Sequence, residues 1–351
     1  MTRQANALPQ TCFAYDPIEQ LHTLPGHPEN RDRLRSAMNL LQESGLLERL
    51  QEASVTPISQ TQLHWIHPKR YVERVRTLDQ TGGGYLDPDT YVVPGTYRAA
   101  LASAGALVNV MEAVITGQAQ NGMSLMRPPG HHALPEQGMG FCIFANVAIA
   151  ARVAQRVFGL SRICIIDWDV HHGNGTEAIF YDDPTVAFFS VHQYPYYPGT
   201  GAAEDIGRGP GRGATMNVPL PPGVGDAGYL RIFEELLTPF VRRFQPDLIL
   251  VSAGYDAHWQ DPLASESLSL QGFVALARHV RTLAEECCHG KLVIALEGGY
   301  NLNVLSYGVM NTILTLMGQE AGVEDPIGPP AYANNDVDAL IARIRRIHEL
   351  T

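Results

Sequence analysis

Short apolar runs, each about as long as a buried strand, alternate with helical patterns through the middle and C-terminal half of the sequence. Between most of these runs, apolar residues recur at spacings of three and four, which is typical of amphipathic helices. This alternation predicts an α/β fold with a central, mostly parallel β-sheet flanked by helices. The strand-like runs are 122–126, 163–166, 186–191, 248–252 and 292–296, and the helical patterns include 144–157, 229–244 and 270–288.

The length of 351 residues allows one large domain or two ordinary ones, and the hydrophobic fraction of 45% is ample for a core. No internal repeat or linker divides the sequence. We therefore predict a single domain over 1–351, with a core at about 12–318 and a C-terminal helical extension at about 319–351. Residues 1–60 and the C-terminal tail are expected to be peripheral, with an amphipathic helix over 336–350.

Charge and apolar patterning narrow the classes of partner. The formal net charge of −11 argues against a nucleic acid, because such binding depends on clustered Lys and Arg. No apolar run approaches the roughly 18 residues of a membrane span, and the first ten residues do not resemble a signal peptide. We expect a cytoplasmic protein without a membrane partner. Its five cysteines lack CxxC spacing and are expected to be free thiols.

The segment 167–175, Asp-Trp-Asp-Val-His-His-Gly-Asn-Gly, directly continues the apolar run 163–166. In extended backbone, Asp167, Asp169 and His171 project from one face because side chains alternate with period two. Two carboxylates and an imidazole at the end of a buried strand indicate part of a metal site. A set of solvated loop charges is the alternative.

Three other strand-like runs are also followed by polar or charged side chains, at Arg127–His132, at Asp256 and at Glu297–Tyr300. In an open parallel sheet, ligands bind beyond the carboxyl ends of the strands, so the four segments should converge on one crevice. Each segment alone has a structural explanation: a histidine pair can be part of the core, and an Asp after a strand often caps a helix. The convergence of all four predicts an active site.

These segments resemble, in residue identity and order, the zinc-dependent histone deacetylase and acetylpolyamine amidohydrolase superfamily, which has the arginase-like fold. Asn174 and Glu297 are more similar to its class II branch. His27-Pro28-Glu29, with Arg33, resembles the N-terminal segment of the family. The other matching motifs are RPPGHH (127–132), GFC (140–142), DWDVHHGNG (167–175), YPGTG (197–201), SAGYDAH (252–258) and EGGYN (297–301).

The resemblance implies that Asp169, His171 and Asp256 bind Zn²⁺. Three protein ligands leave coordination positions for water and a substrate carbonyl, as a hydrolytic zinc site requires. Fe²⁺ or Co²⁺ could occupy the same set of nitrogen and oxygen ligands. Asp167 and Ser190 match family positions near a structural monovalent cation, which would be K⁺.

The resemblance also assigns catalytic roles. It pairs His131 with the Asp167 carboxylate and His132 with the neutral Asn174, so we expect His131 to be protonated and His132 to be neutral. His132 would then act as general base and later as general acid, while the Tyr300 hydroxyl would stabilise the oxyanion. The substrate-binding residues implied by the family are Gly140, Phe141, Tyr197, Leu263 and Gly299.

These roles predict a metal-dependent amidohydrolase that removes acetyl or another short acyl group from the ε-amine of acyl-lysine in proteins or peptides. An enzyme acting on acetylpolyamines or other small N-acyl amines is the first alternative, although Leu263 lacks the charge that a Glu would offer to a second ammonium group. A binuclear manganese ureohydrolase and a non-catalytic acyl-lysine binding protein are further alternatives. The sequence does not indicate an oligomeric state.

Overall fold

The computed structural model describes residues 11–350 and has a central sheet of eight strands. Every neighbouring pair in this sheet is parallel, and its order is β2-β1-β5-β10-β9-β6-β7-β8. The prediction of a mostly parallel α/β sheet is confirmed. The strands are β1 (Cys12–Ala14), β2 (Gln51–Glu52), β5 (Asn121–Ser124), β6 (Ile163–Asp167), β7 (Val186–Gln193), β8 (Thr215–Leu220), β9 (Leu248–Ala253) and β10 (Leu292–Leu296), with a separate antiparallel hairpin of β3 (Gly84–Tyr85) and β4 (Tyr91–Val92).

Helices cover both faces of the sheet. In β6, Cys164 and Ile166 belong to one apolar cluster while Ile163 and Ile165 belong to another, because successive side chains point to opposite faces. A strand buried on both faces therefore reads as a continuous apolar run. The helices are α1 (Asp32–Glu43), α2 (Gln60–Leu63), α3 (Lys69–Gln80), α4 (Thr96–Ile115), α5 (Asn146–Arg156), α6 (Asn174–Phe180), α7 (Asp226–Ile232), α8 (Thr238–Phe244), α9 (Leu270–Cys288), α10 (Leu302–Leu316) and α11 (Asp338–Ile347), with a π-helical turn at Phe233–Leu237 between α7 and α8.

The N-terminal segment is not peripheral, contrary to the expectation from sequence. Strand β1 pairs with β5 inside the central sheet, and the side chains of Glu29 and Arg33 are fully buried. Arg127 is also fully buried and forms ion pairs with Glu19 and Glu29. The strands of this segment have only two or three residues, which is too short for a period to be recognised in the sequence.

The C-terminal extension contains the expected helix, α11, and an irregular segment before it. In this segment Asn334 forms a parallel bridge with Val224, and Trp259 Nε1 donates to the carbonyl of Gly328. The extension therefore packs against the loops that follow β8 and β9. The five cysteines are free, as expected.

By length and composition alone, helix α4 is long and apolar enough to cross a membrane. Within the fold, 72% of an 18-residue apolar stretch of this helix is buried. It packs against α5 and contacts β1, β5 and β10. Its apolar character is therefore accounted for by the core of the protein.

Candidate active site

The four polar segments follow four strands that are consecutive in the sheet, β5, β10, β9 and β6. Because these strands are parallel, their carboxyl ends lie along one edge, and the segments meet there. The convergence expected from sequence is what the structure shows. The register places Asp167, the last residue of β6, beside Ser252 of β9 and Ser190 of β7.

Asp169, His171 and Asp256 form a group whose potential ligand atoms all lie within 4.8 Å of one another. The Nδ1 atom of His171 lies 3.1 Å from Asp169 Oδ1 and 3.3 Å from Asp256 Oδ2. Backbone N–H groups orient both carboxylates. Gly298 N donates to Asp169 Oδ2 over 2.8 Å, and Val170 N donates to Asp256 Oδ1 over 3.1 Å.

This group fits a divalent transition-metal ion. Asp256 Oδ2 is buried and meets no donor with hydrogen-bond geometry among the described residues, and a buried carboxylate oxygen without a partner is costly. Burial lowers the pKa of His171, but its contacts with Asp169 and Asp256 outweigh burial and raise that pKa well above its ordinary value. The strong negative potential and the oxygen and nitrogen donors suit Zn²⁺, Fe²⁺ or Co²⁺.

His131 and His132 face the metal-binding group with different partners. His131 Nδ1 donates to Asp167 Oδ2 over 3.0 Å, and His131 Nε2 lies 3.9 Å from Asp169 Oδ1. Burial lowers the pKa of His131, but the carboxylates of Asp169 and Asp167 raise it to about 10. These carboxylates favour the imidazolium form of His131.

His132 has a neutral partner instead. Its Nδ1 donates to Asn174 Oδ1 over 2.8 Å, which leaves Nε2 as the acceptor nitrogen. Burial and the nearby His131 and His171 hold the pKa of His132 well below its ordinary value. A neutral imidazole with a free Nε2 is the form that a general base requires.

The Tyr300 ring is held between two neighbours. The guanidinium of Arg33 lies 4.9 Å from the Tyr300 ring centroid, and Phe141 meets the ring edge to face at 5.8 Å. Arg33 Nε also donates to the carbonyl of Gly299 over 2.7 Å. Burial raises the pKa of Tyr300 well above its ordinary value, so its hydroxyl keeps its proton and can donate a hydrogen bond.

A cavity of about 220 Å³ connects these groups to the surface. It brings together the histidine pair, one residue of the metal-binding group, Tyr300 and four of the five expected substrate-binding residues. Gly299 is the exception, since its neighbour Gly298 lines the cavity instead. The lining residues are Asp89, Pro129, His131, His132, Gly140, Phe141, His171, Tyr196, Tyr197, Leu263, Gly298 and Tyr300.

Strained backbone places the Phe141 ring in the cavity wall. Phe141 has φ 69°, a left-handed conformation that is rare for an aromatic residue, and its N–H donates to Thr90 Oγ1 over 3.0 Å. A Cβ on the preceding Gly140 would lie 2.3 Å from the His132 ring, so only glycine fits there. His27 packs edge to face on Phe141 at 4.7 Å.

Four cavity residues were not among the predicted site residues: Pro129 and Gly298 lie inside matched motifs, while Asp89 and Tyr196 lie outside them. Asp89 lies in the β3–β4 hairpin, where nothing in the sequence signals a position near the site. Tyr196 Oη donates to the carbonyl of Leu263, and its ring stacks with His171 at 5.8 Å. Its place directly before the matched motif 197–201 was an available signal. The expected K⁺ site at Asp167 and Ser190 stays a prediction.

Comparisons with known proteins agree with this geometry. The family described as "Histone deacetylase domain" matches residues 27–316. The chain is 43% identical over 303 residues to a histone deacetylase-like amidohydrolase of Pseudomonas aeruginosa, covering 86% of this chain and 80% of the relative. The crystal structure of the HDA15 HD domain superposes with a TM-score of 0.89 at 34% identity, covering 97% of this chain and 95% of that one.

The matched family and its relatives indicate a hydrolase of the amidohydrolase type, and the fold agrees with this class. The chain belongs to the histone deacetylase family. Its relatives include the human polyamine deacetylase HDAC10, which is 38% identical over 328 residues. That match covers 90% of this chain and 48% of the relative.

Proposed function

We propose that this protein is a metal-dependent amidohydrolase that removes acetyl or another short acyl group from the ε-amine of acyl-lysine in proteins or peptides. The observation that carries the proposal is the single cavity that joins His132, Tyr300 and the metal-binding group. The family supports deacetylase chemistry, and the residues of the cavity supply each part that amide hydrolysis needs.

Asp169, His171 and Asp256 would hold the metal ion, with Zn²⁺ as our choice. When bound there, the ion would act as a Lewis acid towards the amide carbonyl and the attacking water. The chain itself orients the ligands through the N–H groups of Gly298 and Val170.

His132 would accept the proton of the attacking water at Nε2 and later deliver it to the leaving amine. Asn174 fixes the tautomer that makes this transfer available, because Asn174 Oδ1 accepts the proton on Nδ1. His131 would remain protonated and favour the negative charge that develops on the substrate.

Tyr300 would donate its hydroxyl to the carbonyl oxygen as that oxygen becomes negative. Its raised pKa keeps the donor protonated, and the contacts with Arg33 and Phe141 limit the orientations of the ring. Loss of one such donor typically lowers the rate by roughly 10²- to 10³-fold.

The cavity walls support a substrate with a slim alkyl chain. Phe141, Tyr197 and Leu263 line it, and Leu263 offers no charge to a second ammonium group. This favours acyl-lysine. Asp89 also lines the cavity and is exposed, so deacetylation of a cationic acetylpolyamine is the second candidate, and one relative is named a polyamine deacetylase.

A binuclear manganese enzyme is less well supported. The other described group with metal-ligand spacing contains His131, Cys142 and Glu297. Glu297 Oε2 already accepts from Gly130 N and His131 N, and a thiol suits Mn²⁺ poorly. A non-catalytic binding protein would not need the proton-transfer geometry of His132.

The test is a hydrolysis panel with an acetyl-lysine peptide, a longer-chain acyl-lysine peptide and N-acetylated polyamines. We expect the metal-loaded protein to turn over the acyl-lysine peptides fastest, and Tyr300→Phe to lower that turnover by roughly 10²- to 10³-fold while retaining its metal. Preference for the polyamines would select the second candidate. Stoichiometric metal binding without turnover of any member would favour a binding protein.

A further inference from the structure

We propose that Asp261 is a positioning residue that couples the cavity wall at Leu263 to the hydroxyl donor Tyr300. This inference rests on the proposed function and adds to it a connection between substrate binding and catalysis. The resemblance to the family places Leu263 of this segment in the cavity wall and implies no role for Asp261.

The Asp261 carboxylate accepts three backbone hydrogen bonds from two loops. Oδ2 accepts from Tyr300 N over 2.7 Å and from Asn301 N over 3.3 Å, while Oδ1 accepts from Leu263 N over 2.9 Å. The residue is only 7% exposed, so water competes little for these bonds. One side chain therefore fixes the loop after β9 to the loop after β10.

Leu263 is also held by Tyr196, another residue that lines the cavity. Tyr196 Oη donates to the carbonyl of Leu263 over 2.9 Å. The N–H and the carbonyl of Leu263 are thus both bonded to side chains, which fixes the position of Leu263 in the cavity wall. An alkyl chain that presses on Leu263 would displace Asp261, and with it the backbone of Tyr300.

The Tyr300 loop is attached at several points, and two of them lie at Gly299 and at Tyr300 itself. Arg33 Nε donates to the carbonyl of Gly299, one residue before Tyr300, and Asp261 accepts from the N–H of Tyr300 itself. Gly299 has φ +115°, so the backbone between these attachments adopts a conformation that other residues resist. Without Asp261, the Tyr300 N–H would lose its acceptor. Arg33 would still hold the Gly299 carbonyl, and Asn301 Nδ2 would still donate to the Gln260 carbonyl over 3.2 Å.

A carboxylate is needed because both of its oxygens accept hydrogen bonds: Oδ1 from the loop after β9 and Oδ2 from the loop after β10. Asparagine at position 261 keeps one acceptor oxygen, but its amide NH₂ would face an N–H donor of one loop. Asp261→Asn therefore has nearly the same shape and can hold only one loop.

The experiment is a double-mutant cycle of Asp261→Asn and Tyr300→Phe in the metal-loaded protein, with an acetyl-lysine peptide as substrate. We expect Asp261→Asn to lower kcat at least tenfold and to change KM by only a few-fold. In the Tyr300→Phe background the same change should lower kcat less than twofold, because the misplaced hydroxyl is already absent. Asp226→Asn is the matched control, since Asp226 accepts from Ser269 N in another loop and should leave kcat within twofold.

Hydrogen exchange of the same variants provides a readout that does not need turnover. In Asp261→Asn, the segments 261–265 and 298–301 should both exchange at least tenfold faster than in the native protein. Tyr196→Phe, which releases the Leu263 carbonyl and leaves Asp261 intact, should increase exchange in the first segment and to a smaller extent in the second.

Several results would overturn the coupling. These are a native kcat in Asp261→Asn, an equal loss of kcat with and without the Tyr300 hydroxyl, or faster exchange confined to one segment. If the native protein hydrolyses no acyl amide, the proposed function fails, and hydrogen exchange still decides whether Asp261 joins the two loops.

Discussion

His131 and His132 are adjacent in the sequence and their ring centroids lie 3.9 Å apart. Their Nδ1 atoms nevertheless bond to partners of different charge. His131 meets the carboxylate of Asp167 and His132 meets the amide of Asn174. The carboxylate favours the imidazolium form and the amide leaves its partner neutral. In the proposed mechanism, this difference gives His131 an electrostatic role and His132 a proton-transfer role.

This difference predicts the effect of Asn174→Asp on the pH profile. A carboxylate at position 174 would favour protonated His132 and raise its pKa by about one unit or more. Because the general base must be deprotonated, the acidic limb of the pH dependence of kcat/KM should move to higher pH. Asn174→Leu is the control, which should lower kcat without such a shift. An acidic limb that stays in place in Asn174→Asp would argue against His132 as the base.

Removal of the metal should destabilise the protein as well as inactivate it. Asp169, His171 and Asp256 bring two buried carboxylates together, and a cation that binds only the folded state stabilises it by mass action. We expect a chelator to lower Tm by several degrees, one equivalent of Zn²⁺ to restore it, and Asp256→Asn to lose this response. Asp226→Asn should retain it. Calorimetry and metal analysis provide the measurements, and two tightly bound ions per chain would contradict a mononuclear site.

Leu263 predicts the substrate preference of a variant. Leu263→Glu places a carboxylate in the cavity wall, where it can pair with the second ammonium group of an N-acetylated polyamine. A partly exposed pair of this kind contributes up to about 1 kcal/mol, which corresponds to roughly a fivefold gain in the kcat/KM ratio of polyamine over acetyl-lysine peptide. Leu263→Gln introduces a side chain of the same size as Glu but without its charge. It should leave the kcat/KM ratio of the two substrates near the native value. Equal ratios for Glu and Gln would show that charge at this position does not select the substrate.

The sequence predicted the central part of the fold because the strands buried on both faces are continuous apolar runs. Their polar ends indicated the site for a related reason: β5, β10, β9 and β6 are neighbours, so residues far apart in the chain share one edge. The pairing of His131 with Asp167, 36 residues away, came only from the resemblance to the family.

Other parts of the molecule depend on contacts that leave no local pattern. Strand β1 has three residues and joins the sheet through β5, and the buried Arg127 pairs with Glu19 across 108 residues. Asp89 lines the cavity because the β3–β4 hairpin lies beside Phe141. No periodicity or spacing encodes such packing.

Glu266 predicts a pH-dependent stability that originates outside the site. Its carboxylate is 2% exposed, Oε2 accepts from Val224 N over 2.7 Å, and Oε1 meets no donor among the described residues. Burial raises the pKa of Glu266 to about 8, while the hydrogen bond from the Val224 N–H opposes that shift. Above this pH, the folded protein must hold a buried negative charge, and no Lys, Arg or His among residues 11–350 forms an ion pair with it.

The direction of the effect follows from the two pKa values of this group. In the unfolded chain the pKa of Glu266 returns to about 4.5, so between that pH and about 8 the folded state binds the extra proton. The contribution of this proton to stability is fully present below about pH 4.5 and is lost as the pH rises through about 8.

Glu266→Gln imitates the protonated form at every pH. We therefore expect the variant to match the native protein at pH 4 and to exceed it in unfolding free energy by a few kcal/mol at pH 8.5. Urea unfolding at both pH values measures this difference, and a gap that does not depend on pH would show that Glu266 does not titrate in this range.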